Sequence, residues 1–211
     1  MSFYTGTQVE LLYAMPGSGA AATGTTATAQ NLALNSTTSP GLGFALPAGF
    51  FNMMSGTTLG KSLLIKGGGW FTTTSTSMTA TLTFAFDATA GTYVSSGLLG
   101  ATGAFTPTVS ITNGAWDFEM LATATLLGTG AHVQLNAVGH VNWGPANNAA
   151  AATFSSAGVS NAANTLMIGA PQTGTLLTAS TPYFLDVFAS WSTTTGSPTI
   201  TMTNLMIFGL N

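Results

Sequence analysis

The sequence predicts an all-β fold, a two-sheet antiparallel jelly-roll sandwich of about eight to ten strands carrying an extended N-terminal arm. Three observations point there. Short apolar runs alternate with Thr, Ser and Asn at a period of two, and Gly, Asn and Pro interrupt them at the intervals of β-turns. No window keeps helical periodicity beyond two turns, and the richness in Thr, Val and Gly disfavours helix throughout.

Two regions differ in texture. Residues 1–45 read as a short strand at Thr7 to Met15 followed by an extended arm, because residues 16–45, PGSGAAATGTTATAQNLALNSTTSPGLGFA, are small and turn-forming with no sustained periodicity. Residues 46–211 read as the sandwich domain, long enough for one sizeable core.

Within that domain the segment GKSLLIKGGGW enters a strand at Lys61, with Leu63 and Ile65 inward and Lys66 outward. Gly67 to Gly69 there permit a bulge or close approach of a neighbouring backbone. Leu82, Phe84 and Phe86 share one face of the next strand, and Thr81, Thr83 and Asp87 share the other. Trp116, Phe118, Met120, Ala122, Ala124 and Leu126 form one face of a long strand whose other face is Asp117, Glu119, Leu121, Thr123 and Thr125. A Gly128-Thr129-Gly130 turn then leads to Val133, Leu135, Ala137, Val141 and Trp143, completing a long hairpin. Towards the C-terminus Tyr183, Leu185, Val187 and Trp191 oppose Asp186 and Ser190. After a Thr-Thr-Thr-Gly-Ser-Pro turn, Ile200, Met202, Met206 and Phe208 oppose Thr201 and Thr203, and the last residues are tied into a sheet.

Charge is the scarcest property. Only 3% of the 211 residues are charged, against roughly a quarter in an ordinary soluble domain. Glu10, Asp87, Asp117, Glu119 and Asp186 face only Lys61 and Lys66, for a net charge of -3. No basic patch exists to neutralise phosphates, so nucleic acid is excluded as a partner. Hydroxyls and amides must keep the surface wet. No apolar stretch approaches the roughly 18 residues of a spanning helix, so no membrane partner is expected. The opening MSFYTGTQVELLYAMPGSG has neither the cationic region nor the apolar core of a secretory signal. With no cysteine, disulfides and thiolate metal sites are ruled out.

Each candidate for chemistry has a plainer alternative. Gly60-Lys61-Ser62 resembles the end of a phosphate-binding loop, but the upstream glycine falls one residue short at Gly56 and a strand follows where a helix must. His132 and His140 share a polar strand face about 26 Å apart, too far to share a metal within one strand. A threefold axis could gather three copies of either around an ion; the alternative is an ordinary surface or interface histidine. Asp117 and Glu119 lie about 7 Å apart on one face, compatible with a glycosidase acid/base pair or with calcium. No G-x-S-x-G elbow is present. Asn35-Ser36-Thr37 is a glycosylation sequon. Trp70, Phe71, Trp116, Trp143, Tyr183 and Trp191 read as core or subunit packing, with a carbohydrate-stacking platform as the alternative. No catalytic, cofactor-binding or metal-binding set emerges, and no cofactor is expected.

The runs LPAGFFN, GKSLLIKGGGWFTTT and TATLTFAFD, the hairpin WDFEMLATATLLGTGAHVQLNAVGHV, and the closing YFLDVFASW and TITMTNLMIFGLN resemble a diffuse group of tailed-bacteriophage structural proteins. The resemblance covers about residues 45 to 211 and rests on strand order, glycine placement and composition; the arm before residue 45 departs from it. It implies a jelly roll of the complement-globular-head or tumour-necrosis-factor type, a homotrimer that decorates capsids or caps fibres, and no catalytic residues. The expectation is a non-enzymatic decoration or minor capsid protein on the capsid exterior, whose partners are copies of itself and the major capsid protein or other virion proteins. The second expectation is a receptor-binding knob on a fibre or tail that recognises cell-surface glycan.

Overall fold

A computed structural model of the chain describes residues 9–17, 19, 21–23, 29–33, 43–46, 50, 62–92, 98–127, 132–144, 165–168, 175–178, 181–192 and 195–210; at 23, 125–127, 132–134, 165–168 and 175–178 only the backbone is described. The strands are β1 (Val9–Ala14), β2 (Ala21–Thr23), β3 (Gln30–Asn31), β4 (Ala45–Leu46), β5 (Ser62–Thr72), β6 (Ala80–Asp87), β7 (Leu98–Ala101), β8 (Gly114–Leu127), β9 (His132–Trp143), β10 (Thr165–Ile168), β11 (Thr175–Thr178), β12 (Tyr183–Trp191) and β13 (Thr199–Leu210). The fold is all-β, as its periodicity predicts. There are more strands than expected because β2, β3 and β4 are two or three residues long and β10 and β11 extend the hairpin sheet, segments too short or too plain to alternate visibly.

Two antiparallel sheets form. The larger runs β1-β13-β5-β8-β9-β10, with β11 also on β9 and β2 on β13; the smaller runs β3-β12-β6-β7, with β4 also on β12. Their inner faces meet in one core that includes Ile65, Phe71, Leu82, Phe84, Phe118, Met120, Val187 and Trp191. Phe84 of the small sheet meets Phe118 of the large one at 4.7 Å between ring centroids. Phe71 and Phe105 close on Trp143 at 4.1 and 4.9 Å. Such ring pairs add to the area term that drives burial.

The hairpin forms as predicted. Trp116 pairs with Trp143 and the register runs through Ala124 opposite Leu135, with a bulge between Ala124 and Leu126. Trp116, Phe118, Met120, Ala122 and Ala124 are all buried, each at 2% exposure or less. The Gly128–Gly130 turn, Lys61 and the Asn35 sequon lie outside the described residues.

Three expectations are corrected. On β13 the faces exchange halfway: Met202 pairs with Gly69 and Asn204 with Gly68, so Thr203 is an extra residue in the strand. That bulge shifts the parity by one, placing Leu205 and Ile207 in the core and turning Met206 and Phe208 outward. Asp186 and Asp87, expected on a polar face, are buried at 0% and 2%. Asp186 is covered by distant chain: the Asn31 Nδ2 donates to its Oδ1 at 2.8 Å and the Gly91 N–H to its Oδ2 at 2.9 Å. Finally, the described parts of residues 16–45 are woven into the sandwich. β2 pairs with β13, β3 and β4 pair with β12, and Ala22, Leu32, Ala33 and Phe44 are buried.

Candidate interaction surface

The outer face of the large sheet collects Ser62, Lys66, Trp70, Asp117, Glu119 and His140 of the residues that the sequence singles out. Antiparallel registers line up side chains across five strands, so residues far apart in sequence become neighbours about 4.8 Å apart. Leu11, Phe208, Leu64, Leu121 and Val138 occupy one continuous row from β1 to β9. Leu11 and Val138 are 55% and 64% exposed, and the three between are half-buried. The neighbouring row toward the strand ends is Val9, Leu210, Ser62, Thr123 and Asn136, with Val9 exposed. Ser62 and Thr123 join their hydroxyls at 2.8 Å. An apolar stripe of this kind, exposed at Leu11 and Val138 among the described residues, is a candidate interaction surface, since its burial against a partner would stabilise it.

The next row in the other direction is Met206, Lys66, Glu119 and His140, continuing to Met167 in backbone register. Lys66 Nζ donates to Glu119 Oε2 at 2.7 Å, so the outward lysine finds one of the five carboxylates directly across the ladder. The Lys66 hydrogen bond holds the Glu119 carboxyl below its ordinary pKa, against the opposing effect of desolvation and with lesser help from the charges of Lys66 and His140. A shallow depression of about 270 Å³ lies between this row and the apolar one, lined by Glu119, Leu121, Val138, Gly139 and His140.

Beyond it stand Asn204, Gly68, Asp117 and Asn142, and then Trp70 beside Ala115. Asn142 Nδ2 donates to Asp117 Oδ1 at 2.9 Å. Asp117 and Glu119 therefore share a face, as the sequence predicts, but point into different pairings. A glycosidase acid needs a raised pKa, whereas Glu119 is held ionised.

The glycine run positions these rows. Gly69 faces inward opposite Trp116, and a Cβ there would run into the Thr201 carbonyl of β13. Its absence lets the Trp116 indole cross β5 and donate Nε1–H to the Thr201 oxygen at 3.2 Å. The expected close approach is real, and the bulge sits on the partner strand opposite the glycines.

The aromatics divide. Phe71, Trp116, Trp143 and Trp191 are buried, as core packing predicts; Trp143 in particular has no face free for a ligand. Tyr183 packs half-buried against the core. Trp70 is 52% exposed. His140 is half-buried on the outer face, while the side chain of His132 lies outside the described residues. Among the described residues no group of three or more His, Asp or Glu could hold a metal ion, and no helix is long and apolar enough to cross a membrane. At the opposite edge a cleft of about 260 Å³ is lined by Leu12, Tyr13, Gly43, Phe44, Ala45 and Phe50, and burial raises the Tyr13 phenol pKa. Its described lining residues include no carboxylate or imidazole.

The apolar row is what sequence reading misses. Leu64 and Leu121 alternate visibly with core residues, but only the register of five strands joins them to Leu11, Phe208 and Val138. Compared with protein-family models, with curated proteins and with solved structures, the chain matches none.

Proposed function

We propose that the chain is a jelly-roll virion structural protein, a non-enzymatic capsid decoration or minor capsid protein that acts by packing against copies of itself, as a homotrimer, and against the shell. The fold half of the proposal draws on strand order. Counting β1, β3, β5, β6, β7, β8, β12 and β13 as eight successive strands, the first, eighth, third and sixth share one sheet and the second, seventh, fourth and fifth share the other. That is the order obtained by rolling up one long antiparallel hairpin, with β9 to β11 as an addition beside the sixth strand.

The observation that carries the functional half is the apolar row on the outer face of the large sheet. The subunit has two lysines and five carboxylates, and it commits the Lys66 and Glu119 charges to each other. Apart from Glu10 and Asp117, what remains for recognition among the described residues is shape, hydroxyls, amides and the apolar row. Uncharged contacts of this kind suit a permanent assembly in which many copies act together, because no long-range steering is needed once subunits are held in place.

Replacing Leu64 and Leu121 together by Lys should convert the assembled protein to monomer in light scattering, abolish binding to particles stripped of this protein, and leave the circular dichroism unchanged. A wild type that is monomeric and does not bind particles would sink the proposal.

A second reading, a fibre or tail knob that binds cell-surface glycan, is favoured by the exposure of Trp70. A glycan-binding knob and a shell protein differ in what the polar end of the same sheet face is for.

A further inference from the structure

We infer that the polar end of the outer face, built on Trp70, Asn204 and Asp117, is a platform for a neutral saccharide. The inference rests on the second reading above and gives it a location and a ligand class.

Trp70 is the anchor. It projects from β5 between Ala115 on β8 and Thr201 on β13, both small, so no bulky neighbour in the ladder flanks it. Among the described residues its indole makes no hydrogen bond and no ring contact, and 52% of the residue is exposed. A tryptophan has the largest apolar area of any side chain, and burial of its ring is strongly favourable. The other three tryptophans are at 2% exposure, so this one stands apart from the core. A flat, exposed aromatic face fits the C–H face of a pyranose ring.

Hydrogen-bonding groups stand at the right spacing beside it. Two residues along β5 is Gly68, which carries no side chain; across it Asn204 on β13 and Asp117 on β8 face each other from flanking strands. By ladder spacing this places an amide and a carboxylate about 10 Å apart and each about 8 Å from the Trp70 position, the scale of one or two sugar rings. Asn204 is exposed, and among the described residues its amide has no hydrogen-bond partner. Asp117 is fixed through Oδ1 by Asn142, which leaves Oδ2 to accept from a hydroxyl. A carboxylate and amides that converge next to an aromatic face are the recognition groups of a polyhydroxylated ligand, because they exchange one hydroxyl partner, water, for another.

Charge selects the class. An acidic sugar would meet the Asp117 carboxylate, and Lys66, in the next row, is already paired with Glu119 at 2.7 Å. Among the described residues at this end of the face a cationic ligand finds one carboxylate, Asp117, and its Oδ1 already accepts from Asn142. A neutral hexose or N-acetylhexosamine loses nothing on either count. The apolar row lies at the far end of the face, with the Lys66–Glu119 row between, so self-association through one end leaves the other open.

Fluorescence makes the test direct. Of four tryptophans only Trp70 is exposed, so acrylamide quenching of the full-length protein reports that residue almost alone. Wild type, Trp70→Ala, Trp70→Phe and Asn204→Ala are titrated with neutral oligosaccharides and with sialylated ones, by quenching protection and on a glycan array. The expected result is protection of wild type by neutral sugars, array binding weakened about tenfold or more in Trp70→Ala, largely kept in Trp70→Phe and reduced in Asn204→Ala. Wild-type binding that survives Trp70→Ala overturns this location while the glycan reading stands. Binding to sialylated sugars alone overturns the neutral class. A wild type that binds no sugar overturns both the platform and the glycan reading, and leaves the shell protein.

Discussion

On the inner face of β5, β8 and β9 stand Leu63, Ile65, Phe118, Met120 and Val141, none more than 2% exposed; on the outer face of the same strands Leu64, Leu121 and Val138 stand in a row that reaches 64% exposure. These two sets of side chains are similar in hydrophobicity and opposite in what they touch. Inside, each side chain is met by the other sheet, so its burial is already part of folding. Outside, among the described residues, Val138 keeps most of its surface and Leu64 and Leu121 part of theirs, and that exposed area is what an association would bury. The difference teaches that apolar alternation identifies a strand but not which faces a protein needs within one copy.

The sharpest way to break the comparison is to truncate one residue on each face of β8. Phe118 lies 4.7 Å from Phe84 and 6.0 Å from Trp116 by ring centroids. Phe118→Ala should cost about 3–5 kcal/mol in urea unfolding, since it removes the ring and leaves a cavity between the sheets. Leu121→Ala should cost less than about 1 kcal/mol when measured at dilution, where association no longer adds to stability. Equal costs would mean that the outer row is covered by the subunit itself.

A smaller effect is expected at the bulge that sets the outer face of β13. Deleting Thr203 joins Met202 to Asn204, which restores regular alternation with Met202 and Leu205 inward and Asn204 and Met206 outward. The deletion should therefore be tolerated, at a cost below about 2 kcal/mol, with the near-ultraviolet circular dichroism of the tryptophan core retained. A chain that fails to fold would show that the extra residue is needed for the close approach to Gly68 and Gly69.

That bulge also marks the limit of what the sequence reveals. The β8–β9 pair is legible because alternation holds from Trp116 to Ala124 and few residues separate the strands, and β6 is legible over Leu82 to Phe84, where alternation also holds. On β13 the pattern Ile200, Met202, Met206, Phe208 reads as one face, because an inserted residue leaves no local signature when both parities carry apolar side chains. The burial of Asp186 is equally hidden, since its partners Asn31 and Gly91 are 155 and 95 residues away. The site is half legible. Lys66 outward and Asp117 with Glu119 on one face follow from period two alone. The row that joins Leu11 to Val138, and the isolation of Trp70 from the other tryptophans, depend on strand order across the whole chain.

The smallest effect belongs to the charged row between the two ends of the face. Lys66 and Glu119 are 41% and 45% exposed, so solvent and salt screen the pair, and Lys66→Gln should cost only a few tenths of a kcal/mol at neutral pH. The sign of its pH dependence is fixed by the lowered pKa of Glu119, whose first cause is the hydrogen bond from Lys66. A carboxyl with a depressed folded pKa contributes its stability above the ordinary carboxylate pKa and loses it as pH falls through the folded value. Wild type and Lys66→Gln should therefore differ slightly at neutral pH, and converge in acid as Glu119 protonates in both. High salt should shrink the neutral-pH difference as well. If instead Lys66→Gln lowers stability by more than about 1 kcal/mol, or the two curves stay parallel into acid, the lysine acts through the packing of its methylene stem between Met206 and Leu64 rather than through its charge. A pair this weak would still matter for assembly, because two matched charges placed between an apolar stripe and a polar platform disfavour any docking that slides the stripe of one copy over the platform of another.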